Sequence, residues 1–348
     1  MRIRAIGAAV PAAAKTMADF PFASDVERAR FTRTTGIRTL RTVGDSGLTS
    51  ADLCAAIAPQ VITAAGWLAT EIDTLIFISQ TPDHLSPATA CLLQERLGLA
   101  TTTLAFDIAL GCSGFTHGLL IAQGLLAGGR SRRLLLLIGD TISRCADPAD
   151  LGAAPLFGDA GAAIALEATP AGASCIVAST QGVDGSGGRH LHLLGGGFRG
   201  GAPGATATSP SAWERPRVRM DGGQVMAFTL NRVVPMVTDL LAQAGWEAGS
   251  IDAVATHQAN QFMLQTVAAR TGLATDKLLL SLGTYGNTSG VSIPLTLCHC
   301  RERLADGPLR LLLLGFGVGW SWSGLALDWQ DTMLLPVLDV PDARDEKA

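Results

Sequence analysis

The chain has 348 residues, 48% of them apolar and 16% charged, with a formal net charge of -4 and a pI near 5.9. These values exclude a disordered chain, imply a core large enough for two ordinary domains, and leave no basic footprint for nucleic acid. Seven cysteines without framework spacing, in a chain too long to need staples, predict reduced thiols in a soluble, cytoplasmic protein.

The opening MRIRAIGAAVPAAAK imitates a signal peptide poorly, because its apolar part is Ala and Gly and Pro11 interrupts it; residues 3–9 are predicted as a first strand instead. A helix over 50–65 and a strand over 74–79 follow, then helix 89–97, strand 103–108, helix 114–127, strand 134–139 and two more strands over 162–167 and 175–181. The strands are short apolar runs and the helices are amphipathic, the pattern of α/β layers with buried central strands. Residues 183–216 are rich in Gly, Ser and Pro without periodicity and read as a long surface loop, a cover for a site. Within it GGGFRG fits a dinucleotide-binding spacing, but no strand is predicted before it and no helix after it, so that reading is set aside. Helix 225–245, strand 253–257, helix 261–271, strand 278–280, helix 291–304 and strands 311–314 and 324–328 complete the series. The CHC at residues 298–300 falls in apolar helix context with no second ligand pair, so no metal site is expected. No apolar segment reaches the roughly 20 residues that a membrane helix needs, and no membrane partner is expected.

Internal similarity organises these elements. AGWLATEIDTLIF from Ala65 returns as AGWEAGSIDAVAT from Ala244, and GLATTTLAFDIALGCSG from Gly98 returns as GLATDKLLLSLGTYGNTSG from Gly272. A period near half the chain predicts two duplicated, similarly folded halves, residues 1–170 carrying the Cys and 171–348 carrying the His and Asn. In this alignment Gly111-Cys112-Ser113-Gly114 faces Gly286-Asn287-Thr288-Ser289-Gly290 across a two-fold-like axis, and His257 ends a strand between them. Ligands of open α/β sheets bind at such strand ends. Cys112 is suited to attack a carbonyl because the N–H groups and dipole of the following helix favour a thiolate, and a nearby imidazole would lower its pKa further. Taken singly, Cys112 also reads as a buried thiol, His257 as a satisfied core histidine and Asn287 as a turn residue. His117, five residues beyond Cys112, is a rival base that the helix turns away from the thiol. Phe157 in FGDAGAAIAL and Phe316 in GFGVGWSW lie in glycine-rich turns expected to floor the cavity.

DIALGCSGF, FGDAGAA, THQAN, GNTSG and FGVGWSW, in this order and spacing, resemble β-ketoacyl-acyl-carrier-protein synthase III and its relatives in the thiolase superfamily, from the first strand to about Trp329. The resemblance implies an α/β, thiolase-like five-layered αβαβα fold, a homodimer, acyl-coenzyme A or acyl carrier protein as partners whose thioesters are substrates, and no permanently bound cofactor. It implies that Cys112 accepts an acyl group and that His257 and Asn287 hold a malonyl thioester carbonyl as carbon dioxide leaves. The N–H groups of Cys112 and Val318 would form an oxyanion hole, Val318 standing where the family usually has Gly. The loop with Leu85 and Ser86 corresponds to the one that reaches into the partner's acyl pocket, which Phe157 and Phe316 would also line.

The carrier-binding positions depart from the family pattern. Arg30, Arg33 and Thr34 stand near the usual Trp and Arg, Leu151 and Phe262 each replace an Arg, and Gly223 replaces an Asn. A specialised condensing enzyme of fatty-acid, polyketide or secondary-metabolite synthesis is therefore the first expectation. The second is an acyltransferase of the same fold that passes its acyl group to an alcohol, amine or other acceptor without decarboxylation. A non-catalytic partner subunit is opposed by the complete trio, and a Cys-His-Asn hydrolase by the duplication.

Overall fold

Unbroken apolar runs become the central strands of two large sheets in the computed structural model, which describes residues 1–170, 173–195, 216–305 and 307–342. The strands are β1 (Arg2–Pro11), β2 (Ala14–Thr16), β3 (Thr39–Arg41), β4 (Thr74–Ile78), β5 (Leu104–Ile108), β6 (Arg133–Asp140), β7 (Ala160–Glu167) and β8 (Ile176–Val183). They continue as β9 (Leu191–Leu194), β10 (Arg217–Met220), β11 (Ala253–Thr256), β12 (Leu278–Leu279), β13 (Leu309–Gly317), β14 (Ser321–Trp329), β15 (Met333–Leu334) and β16 (Leu338–Val340). The helices are α1 (Asp25–Thr35), α2 (Ser50–Ala64), α3 (Thr89–Arg96), α4 (Gly114–Ala127), α5 (Gly222–Phe228), α6 (Val234–Ala244), α7 (Gln261–Thr271), α8 (Leu282–Tyr285) and α9 (Ser292–His299).

The two sheets share one design. Strands run β5-β4-β6-β7-β1 in the first and β12-β11-β13-β14-β8 in the second. In each, the first two pairings are parallel and the next two antiparallel. The sequence repeat is thus a repeat of structure. Gly66 and Gly245 both sit in the left-handed region, at φ 73° and 66°, just past α2 and at the end of α6. A short 3-10 turn then leads into β4 or β11.

Phe115, Leu119, Ala122 and Leu126 of α4 and Ile293, Leu295 and Leu297 of α9 are buried between the sheets, while α2 covers the outer face of the first sheet and α6 and α7 that of the second. This is the five-layered αβαβα arrangement expected. Leu134 to Ile138 of β6 are fully buried, and each such side chain stabilises the fold by roughly 1.5–3 kcal/mol.

Several expectations are corrected. Helix α1 carries no apolar periodicity, because its sequence is polar and only Thr35 is buried; its ends form it, with the Ser24 side chain accepting from the Glu27 N–H at 3.2 Å and Gly36 left-handed at φ 79°. The helix expected over 225–245 begins earlier: α5, a π turn (Thr229–Val233) and α6 run on from Gly222 to Ala244, 23 residues. By length and composition this helix could cross a membrane, contrary to the expectation that no segment reaches that length; Met236, Val237, Leu240 and Leu241 are buried against the second sheet. The supposed loop over 183–216 holds a 3-10 turn (Gly185–Arg189) and β9, which pairs with β10. A strand therefore does precede GGGFRG, but its partner is antiparallel, as no dinucleotide-binding unit is; residues 196–215 lie outside the described residues. Finally, β15 and β16 pair with β1, so the last strands join the first sheet although they fall in the second of the two expected halves.

Candidate active site

Cys112 sits between β5 and α4, at the mouth of the helix, with Gly111, Ser113 and Gly114 as its small neighbours. At Gly111 a side chain would strike Gln80, and at Gly317 a Cβ would lie 2.6 Å from the Cys112 Cβ and 2.8 Å from its Sγ. The second sheet therefore reaches the thiol with bare backbone, and the N–H of Val318 favours its thiolate form. Ser113 anchors the turn through a 2.6 Å hydroxyl pair with Ser321.

His257 leaves the end of β11, its own N–H bonded to the Leu314 carbonyl at 2.8 Å. Its Nδ1 lies 3.2 Å from the Ser289 carbonyl and 3.0 Å from Ser292 Oγ, and Phe316 meets the ring edge-on with centroids 5.6 Å apart. With Nδ1 anchored on this wall, Nε2 is the nitrogen left for the cavity. Asn287 follows α8 rather than a strand directly. Its N–H donates to the Leu156 carbonyl at 2.8 Å and its carbonyl accepts from Gly158 at 3.1 Å, so the Phe157 turn holds it as a one-residue bridge. Its side-chain Oδ1 accepts from the Ser289 N–H at 2.9 Å, leaving the NH2 for a ligand. Cys112, His257 and Asn287 line one cavity of about 110 Å³, with Phe157, Phe316 and Val318 also on its wall.

The electrostatics differ from those expected. Burial pushes the Cys112 thiol up to about 11, against the N–H groups of Val318 and Cys112 and the Ser289 hydroxyl, which favour a thiolate. Burial also depresses His257 to about 4, so the imidazole is neutral. The helix terminus and the imidazole therefore do not yield a resting thiolate: desolvation outweighs both. The site rests as neutral thiol and neutral imidazole.

Three residues passed over in the sequence complete the site. Ser289, at φ 53°, touches every member of it: its Oγ is 4.0 Å from Cys112 Sγ, its carbonyl holds His257 and its N–H holds Asn287. Gln80 donates through Nε2 to Ser289 Oγ at 3.2 Å and stands between the Cys112 cavity and an open cleft of about 880 Å³. Asp140 ends β6, fully buried beneath them.

Other predicted residues lie elsewhere. Leu85 and Ser86 are exposed on the loop before α3, and Leu85 lines the larger cleft rather than the thiol's cavity. Arg30 and Arg33 are exposed on α1, which packs against α7, and Phe262 is exposed at the start of α7. Gly223 is exposed in the first turn of α5, beside Gly222, which lines the cavity. None of these six residues lies on the wall of the thiol's cavity. His117 points Nδ1 at the Ser113 carbonyl, 3.0 Å away, and is not on that wall either. Among the described residues no three His, Cys, Asp or Glu side chains gather as a metal site.

Residues 106–185 match the family model described as 3-oxoacyl-[acyl-carrier-protein (ACP)] synthase III, and residues 241–329 match the model of its C-terminal part. The β-ketoacyl-[acyl-carrier-protein] synthase III of Syntrophomonas wolfei is 33% identical over 293 residues, covering 83% of this chain and 86% of that protein. A solved 3-oxoacyl-(acyl-carrier protein) synthase from Burkholderia xenovorans superposes with a TM-score of 0.89 at 36% identity, covering 97% of each chain. The priming β-ketosynthase of the R1128 polyketide pathway gives a TM-score of 0.80 at 27% identity over 96% of each chain.

Proposed function

Because the chain belongs to the β-ketoacyl-acyl-carrier-protein synthase III family, we propose that it transfers an acyl group from an acyl-coenzyme A or acyl-carrier-protein thioester to Cys112 and condenses it with a malonyl thioester. The observation that carries this reading is the meeting of Cys112, His257 and Asn287 in one cavity, with Val318 on the same wall. In the first half-reaction the sulfur attacks the thioester carbonyl, the N–H groups of Cys112 and Val318 hold the tetrahedral oxyanion, and the carrier thiol departs. In the second, the NH2 of Asn287 and Nε2–H of His257 hold the malonyl thioester oxygen while the bond to the carboxylate breaks and carbon dioxide leaves. The enolate carbon then attacks the acyl-Cys112 carbonyl, and the Cys112 sulfur leaves with the bonding electrons. Donation from His257 requires the proton on Nε2, which the Ser292 hydroxyl would favour by turning from the Ser289 carbonyl, to which it donates at 2.7 Å, onto Nδ1, 3.0 Å away.

Exposed Phe262 and Gly223, in place of polar residues, favour a specialised pathway over general fatty-acid initiation. A homodimer is supported by β5, which forms the free edge of the first sheet with Leu104 exposed. Intact-mass screening with a series of acyl thioesters should give a Cys112 adduct in the wild-type protein and none in Cys112→Ala. Addition of malonyl thioester should then release carbon dioxide. Transfer to an alcohol or amine without carbon dioxide would select the non-decarboxylating acyltransferase reading, and no adduct from any donor would overturn both.

A further inference from the structure

Among the described residues only Ser289, Trp320 and Asp331 hold a positive φ without being glycine, and Trp320, at 45°, is the aromatic one. It closes the three-residue turn Val318–Trp320 that reverses the chain between β13 and β14, where Gly317 pairs with Ser321. Hairpin positions of this kind normally fall to Gly, Asn or Asp, and a bulky residue held there is strained. Such strain persists only where the surroundings over-determine it, and it gathers at functional sites. Trp320 is buried in the second core, but packing alone does not require the strain, since an indole can be buried from ordinary backbone.

What the strain secures lies two residues away. Gly317 and Gly319 flank Val318, so neither neighbour restricts how the Val318 peptide turns. The ends of the turn are held: Gly317 backs onto Cys112 with no room for a Cβ, and Ser321 donates to the Val318 carbonyl at 3.0 Å while pairing with Ser113. Trp320 supplies the remaining constraint. Its ring stacks on Phe228, the last residue of α5, with centroids 4.6 Å apart and planes 4° from parallel, and on His190 at 6.0 Å and 10°. A Cβ on Gly187 would fall on the indole, so the 3-10 turn Gly185–Arg189 closes against it with bare backbone. The Trp320 carbonyl accepts from the Asp184 N–H at 2.9 Å.

We propose that Trp320 is a positioning residue for acyl transfer: clamped by Phe228, His190 and the turn Gly185–Arg189, it fixes the Val318 N–H where the oxyanion forms when Cys112 attacks a carbonyl. The inference rests on the oxyanion role given to that N–H above, and it confines the effect of Trp320 to reactions that make an oxyanion. When Cys112 attacks p-nitrophenyl acetate, a C–S bond forms, the carbonyl electron pair moves onto oxygen, and its return expels p-nitrophenolate. When Cys112 attacks iodoacetamide, a C–S bond forms as iodide leaves a saturated carbon, and no oxyanion appears. The thiol proton is lost to solvent in both, so the comparison isolates the oxyanion.

With the Cys112→Ala background subtracted, Trp320→Ala should release p-nitrophenolate about 10- to 100-fold more slowly than wild type, short of the roughly 10²–10³-fold lost when such a donor is removed outright. Its alkylation by iodoacetamide, followed by peptide mass, should stay within about threefold of wild type. Trp320→Phe, which keeps a ring to stack, should recover most of the ester rate. Equal losses in the two reactions would mean that Trp320 holds the nucleophile or the fold rather than the N–H, and an unchanged ester rate would mean that it holds neither; each overturns the proposal. If Trp320→Ala does not fold, Phe228→Ala decides, because it leaves Trp320 in place without the ring stacked closest to it: a selective loss of ester rate supports the proposal and an unchanged one overturns it. A wild type no faster than Cys112→Ala toward the ester also overturns it. A selective loss combined with no adduct from any acyl thioester would sink the proposed function and leave this inference standing.

Discussion

Between Cys112 and Gly317 there is no room for a methyl group. A Cβ on Gly317 would press on the backbone side of the nucleophile at 2.6 Å and on its sulfur at 2.8 Å, so the sulfur must move by a sizeable fraction of an ångström. Misplacement on that scale costs about 100-fold in rate when the reacting atoms must be aligned. Gly317→Ala is therefore expected to acylate about 100-fold more slowly while keeping a wild-type circular dichroism spectrum. Val318→Gly, which keeps the backbone N–H that favours the thiolate, should acylate within about threefold of wild type. Rates from intact-mass time courses separate the two; equal losses would mean that the Val318 side chain, not its backbone, is what matters.

Among the elements, β5 is the one whose sequence is at odds with its surroundings. It pairs with β4 on one side only, and Leu104 is exposed at the free edge. Such an edge normally presents a charge to solvent unless something covers it, and the one charge of β5, Asp107, is instead turned onto the Thr89 and Ala90 N–H groups at the start of α3. Leu104→Lys is expected to shift the proteins from dimer to monomer in sedimentation velocity, and a monomeric wild type would refute the pairing. Elements with buried, uninterrupted apolar runs were legible: β4, β6, β11 and β13 were all found, as were α2, α4 and α7. So was the doubled order of helix, turn and strand, since Gly66 and Gly245 serve the same left-handed turn. What escaped was built from other forces. Helix α1 depends on its caps, β9 and β10 on each other, and β15 and β16 on β1, and none of these leaves a periodic apolar mark. At the site, the Cys, His and Asn were visible through the repeat and the resemblance. Ser289 was not, because its part depends on a φ of 53° that no residue type announces. Asp140 was not, because a lone Asp after an apolar strand reads as the start of a turn.

For the molecule as a whole, the buried titratable groups pull stability in opposite directions with pH. His257 is lowered from 6.5 to about 4, so its contribution is fully present above pH 6.5 and is lost as pH falls through about 4. Asp140 and Asp159 are raised from 3.8 to about 6, so theirs is fully present below 3.8 and is lost as pH rises through about 6. His257→Gln removes only the first. Its Tm relative to wild type should therefore rise between pH 7.5 and pH 4.5 in paired scanning fluorimetry, and a constant offset would show that His257 is not buried as a neutral ring. The pairing of β15 and β16 with β1 has a consequence of another kind, in time. Arg2–Pro11 is made before every other strand of its sheet, yet its outer neighbours are Met333–Leu334 and Leu338–Val340. At the ribosome's pace of about 5–20 residues per second, that edge stays uncovered for roughly tens of seconds. The earliest strand of this sheet waits for its latest, so cotranslational folding can finish the second sheet before the first.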